Sequence, residues 1–127
     1  MRFGSMIAVL AIAAGSASPA LAAAAMPRDF QGEWAVKVGD CENRGGENLA
    51  GFRIKDHEVA RWEVLEDVRS VRILSPLAVS YQGEATDSAG SFPVYGTLRL
   101  SPDRKRLIAA GLANGMGRKA PDLVRCP

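Results

Sequence analysis

Two cysteines, a single histidine and a few acidic pairs are the residues with chemistry to offer in this 127-residue chain. Cys41 and Cys126 stand near the two ends of the segment that would fold. Joined, they would close a loop around almost the whole domain, worth roughly 4 to 5 kcal/mol in the chain-entropy description of a disulfide. That pairing is preferred to two buried or reactive free thiols and to metal ligation. Ligation fails on ligand count, because His57 is the only histidine and neither a Cys-x-x-Cys nor a His-x-x-x-His spacing occurs. The expectation is therefore no metal and no cofactor.

His57 sits between Asp56 and Glu58, but neighbours within one turn do not define a proton relay, and no activated nucleophile accompanies them. Glu66 and Asp67, placed on a strand, project to opposite faces and cannot act together as general acid and base. These residues predict a protein that is not an enzyme. The most conspicuous connecting segment, residues 111–121, carries three glycines together with Met116 and the Arg118–Lys119 pair. Asn114, Met116, Arg118 and Lys119 are its candidate protein-binding residues, offering a mixed apolar and basic contact. An ordinary connection between two strands is the plainer alternative. A phosphate loop is excluded, since the Gly-x-x-x-x-Gly-Lys-Ser/Thr order is missing.

The elements that would position these residues follow an export address. Arg2 precedes a short apolar run over residues 6–14, and small residues fill positions 22–25. The run is too brief for a mature membrane span, and cleavage after Ala22 or Ala24 fits the small-residue rule. The reading is a signal peptide over residues 1–24 and one secreted domain over 25–127. No cysteine at the boundary offers a lipid attachment site, so a soluble periplasmic or secreted product is expected, with no integral membrane segment in the mature chain. Export also suits a disulfide, and a domain of this size gains from one.

Beyond the address the chain reads as strands. Residues 32–37 open the fold, and residues 49–54 and 58–63 flank the polar turn 55–57 as a hairpin. Residues 64–74 break strict alternation, which predicts two short strands or one strand with a bulge in preference to a helix. Leu77, Val79 and Tyr81 alternate, as do Phe92, Val94, Gly96, Leu98 and Leu100. Pro93 argues for a strand start or an edge. A turn at 101–104, a strand at 106–110 and a last short strand at 122–126 complete the count. Seven or eight strands with short connections favour an all-β, compact, antiparallel up-and-down barrel closed by one disulfide. Closure makes the first and last strands neighbours, which lets Cys41 and Cys126 approach.

The run Phe30-Gln31-Gly32-Glu33-Trp34 resembles the Gly-x-Trp opening of lipocalin-like barrels. In that family the tryptophan closes the barrel bottom and a basic residue of the last strand packs over it. The resemblance implies structural roles for Gly32, Trp34 and Arg125, with Arg125 stacked on Trp34. It extends to the small periplasmic barrels that inhibit proteases or lysozyme, which are similar in size, in export and in carrying one disulfide. A core Trp after a strand-starting Gly is the alternative reading.

Residues 29–87 hold 12 acidic and 7 basic side chains, whereas residues 88–127 hold 2 acidic and 7 basic ones. The balance gives no nucleic-acid signal. Glu42, Glu47, Glu58, Glu63, Glu66 and Asp67 form a candidate acidic surface for a basic partner, the alternative being solvated side chains on alternating strands. With little aromatic bulk, a small barrel fills itself and leaves little room for a large ligand. The expected function is a noncovalent protein-binding module of the bacterial envelope, as an inhibitor of a periplasmic or secreted hydrolase; a small-molecule carrier and a structural envelope factor are the alternatives.

Overall fold

The computed structural model describes residues 21–42, 51–61, 63–110 and 122–127. Its described residues are all-β apart from two 3-10 turns, Arg28–Phe30 and Val38–Glu42. The strands are β1 (Leu21–Ala23), β2 (Gly32–Ala35), β3 (Phe52–Lys55), β4 (Glu58–Arg61), β5 (Val64–Ser75), β6 (Ala78–Asp87), β7 (Gly90–Leu100), β8 (Arg106–Ala110) and β9 (Leu123–Arg125). Strands β2 to β9 pair antiparallel in chain order. The ring closes where β2 meets β9, with Trp34 opposite Arg125 and Ala35 opposite Val124. Closure removes free edges from most of the sheet.

The expected barrel is thus present, with eight strands in the ring and a ninth outside it. The extra strand, β1, falls in the segment read as a signal peptide and pairs with β5 as Leu21 to Ile73, Ala22 to Arg72 and Ala23 to Val71. It has room because β4 reaches only from Val64 to Asp67 along β5. The second half of β5 therefore stands past the end of its neighbour.

Residues 64–74 form one strand with an irregularity, not two strands. The register against β6 slips between Val68 and Ser70 and again between Ile73 and Ser75. An extra residue at the first slip keeps Glu66, Val68 and Val71 inward despite their broken spacing. Gly83 lies opposite Val68, and a Cβ there would sit 1.9 Å from the Asp67 carbonyl oxygen. Only glycine lets the two strands come this close. Pro93 lies within β7 opposite Glu84, in the part of that strand ahead of the Thr97–Leu100 stretch that pairs with β8. Its missing N–H therefore costs no ladder bond to β8.

Cys41 and Cys126 form a disulfide with 5.6 Å between their Cα atoms. The Cys126 N–H donates to the Glu33 carbonyl, which fixes the bridge beside β2. The 3-10 turn after β2 accordingly folds back along the barrel wall to meet the end of β9. No helix among the described residues is long and apolar enough to cross a membrane. The disulfide is compatible with an oxidising compartment.

Candidate functional site

One end of the barrel is plugged from below by its own chain. Trp34 is fully buried, and its indole Nε1–H donates to the Phe30 carbonyl at 3.0 Å. The Arg125 guanidinium carbon stands 4.2 Å from the centre of the Trp34 ring, a cation–π stack that also keeps the cation flat. Flat, it spends three donors on backbone carbonyls: Nη1 on Gln31 at 2.9 Å, Nε on Arg104 at 3.2 Å, and Nη2 on Asp29. A lysine could stack but could not reach three carbonyls at once. Gly32, at φ 122°, sits in a backbone region that side chains rarely adopt, and its missing Cβ faces the same guanidinium. Met26 and Phe30, each 1% exposed, seal the plug. Gln31 ties it to the β3–β4 turn through Nε2 bonds to the Met26 carbonyl and the Asp56 carboxylate, both 2.8 Å.

Higher in the barrel lies a polar cluster that the sequence reading missed. Both sequence readings of Glu66, an acidic surface or an ordinary solvated side chain, place it in solvent; it instead points inward and is fully buried. The reason is strand parity: Glu66 shares the inward face of β5 with Val64 and Val68. Its Oε1 accepts from Arg61 Nη2 at 3.2 Å, and its Oε2 accepts from the Tyr81 hydroxyl at 2.8 Å. The phenol reaches it because Gly96, directly across from Tyr81, leaves the space that the ring occupies; a Cβ there would lie 2.4 Å from a ring carbon. Burial raises the Glu66 carboxyl above the ordinary carboxylate range, outweighing the opposing effects of the Arg61 charge and the Tyr81 hydroxyl. Tyr81 is raised too, by burial first and the neighbouring carboxylate second. Arg61 Nε is buried without a hydrogen-bond partner among the described residues.

A buried carboxyl raised in pKa beside a tyrosine is a type of group used for acid–base work. Here it is enclosed. Glu66 is fully buried, and Tyr81 beside it is 2% exposed. What the cluster does is lock β4, β5 and β6 at one relative position through ionic and hydroxyl bonds that only this register satisfies. A signal for it was present, since a charge at an inward parity position and a glycine in an apolar row each require a partner from another strand.

The other candidates divide cleanly. Asn114, Met116, Arg118 and Lys119 lie outside the described residues, although the strand ends that flank them, Ala110 and Leu123, face the end of the barrel opposite the Trp34 plug. Of the acidic surface, Glu58 and Asp67 stand opposite each other on adjacent strands, Glu63 is exposed in the β4–β5 turn, and Glu47 lies outside the described residues, as does the Glu42 side chain. His57 serves through its backbone, accepting from the Val68 N–H at 2.8 Å. Among the described residues no group of three or more His, Cys, Asp or Glu side chains could hold a metal ion.

The chain matches no known protein family, no curated protein and no solved structure.

Proposed function

We propose that the protein is an exported, noncovalent protein-binding module of the bacterial envelope that acts by occupying the cleft of a periplasmic or secreted hydrolase. The observation that carries this reading is the filled interior. Phe30, Trp34, Tyr81, Leu98, Leu107 and Leu123 all point inward and are each at most 2% exposed, so recognition belongs to the outside of the barrel. The barrel then works as a rigid mount. Its plug, its internal ionic cluster and its disulfide hold the strand ends, and Ala110 and Leu123, the described strand ends on either side of the segment with Asn114, Met116, Arg118 and Lys119, lie away from the plug. The lipocalin-like opening Gly32-x-Trp34 with Arg125 above it supports kinship with small inhibitory barrels.

Native mass spectrometry of the oxidised protein captured from its own envelope tests the reading. A reproducible stoichiometric protein, whose hydrolytic activity falls when the barrel is added back, is the expected result. A stoichiometric small molecule in its place would overturn it in favour of a carrier.

A further inference from the structure

We infer that the edge of β5 over Val71, Arg72 and Ile73 is a docking site for an extended, antiparallel segment of another envelope protein that carries an acidic side chain opposite Arg72. The inference rests on the export reading, because in this structure the edge is filled by Leu21, Ala22 and Ala23. Cleavage after Ala24 removes all three residues, and cleavage after Ala22 leaves one. The edge thereby loses its cover on maturation.

Three observations define the occupant. The register of β1 shows that the edge accepts an antiparallel strand, and Ala23 packs against the barrel core, so a partner needs a small apolar residue at that position. Beside the strand lies a recess of about 170 Å³ lined by Ala22, Ser70, Val71, Arg72, Ser80, Tyr81 and Gln82. Alanine is too short to fill it, whereas a longer side chain in the Ala22 position would enter between hydroxyl and amide groups. Arg72, finally, is exposed and has no ion-pair partner among the described residues, unlike its neighbour Arg69, which contacts Asp67 and Glu84. A carboxylate in the recess would meet that guanidinium across the strand pair. Strand addition supplies affinity through the backbone, and the side-chain recess supplies selectivity. A second copy of this chain is the poorer occupant, because antiparallel self-pairing centred on Arg72 sets two guanidinium groups opposite each other.

The test uses mature protein recovered after export, with its first residue set by intact mass, and two synthetic octapeptides of residues 18–25 carrying Ala22→Glu or Ala22→Lys. In ¹⁵N spectra the expected result is amide shifts centred on Val71–Ile73, with the Glu peptide binding about two- to fivefold more tightly than the Lys peptide. Because Arg72 is exposed, Arg72→Glu should leave the fold intact and reverse that order. Absence of shifts at these amides, or an order of affinity that Arg72→Glu leaves unchanged, overturns the proposal. So does a dimer in sedimentation with these amides already protected from exchange. An intact mass that retains Leu21–Ala23 overturns it by a different route, through the export reading, and the two failures are told apart by the mass alone.

Discussion

At the scale of single residues, Glu66 carries the most consequence. Its folded carboxyl holds a proton more tightly than an unfolded one, since burial raises its pKa. The stability this contributes is complete below the ordinary carboxylate range and is lost as pH rises through the raised value. The difference in urea-unfolding free energy between the wild type and Glu66→Gln should therefore shift in favour of the wild type as pH is lowered through that window; a pH-independent difference would refute the assignment. Tyr81→Phe removes the hydroxyl that the carboxylate accepts from. It should cost about 1 to 3 kcal/mol and push the Glu66 titration, followed by its side-chain carbon resonance, further up. At the plug, Arg125→Lys preserves the charge but loses the three-carbonyl fork, for an expected loss of about 1 to 3 kcal/mol measured by thermal or urea unfolding.

At the scale of elements, the contact between β5 and β6 is where a single methyl should do most harm. Gly83→Ala would drive a Cβ into the Asp67 carbonyl, and a strand pair held in register on both sides has little freedom to yield. A loss of about 1 to 3 kcal/mol or more is expected, with faster amide exchange in Asp67 and Val68 as the local signature. Much of this layer was legible beforehand. The alternation of Phe92, Val94, Leu98 and Leu100 marks β7, the turn 101–104 marks the end of that strand, and broken spacing in 64–74 marks a bulge. Those are local patterns. The inward parity of Glu66 signals burial, but its partners Tyr81 and Arg61 come from two other strands, and no local pattern names them. Gly96 was legible as part of an inward row, but its purpose appears only with the Tyr81 ring laid across it. Strand β1 carries no strand signal in the sequence, because a short run of leucine and alanine lacks β-branched and aromatic residues and reads as part of the export address.

At the scale of the whole molecule, the ring of strands and the disulfide act on the same seam. The bond joins Cys41 and Cys126 across a sequence separation of 85 residues, and it fastens the first and last strands of the ring where they meet. Replacing both cysteines by serine should lower the unfolding free energy by roughly 4 to 5 kcal/mol, read as a drop in the urea midpoint. Because β2 and β9 are short, with two paired positions between them, the seam should open before the long β5–β6–β7 ribbon in that variant. Amide exchange at Ala35 and Val124 would then rise ahead of exchange at Val79 and Leu98.

The same bond changes what a cut in the backbone means. Any peptide bond hydrolysed between Cys41 and Cys126, including one within residues 111–121, leaves two pieces of chain on one covalent molecule. The new ends are still tethered at their far sides, and β9 is still paired between β2 and β8. A protease that cleaved this barrel would not be rid of its product, and the nicked species would run as one band until reductant separated it into two.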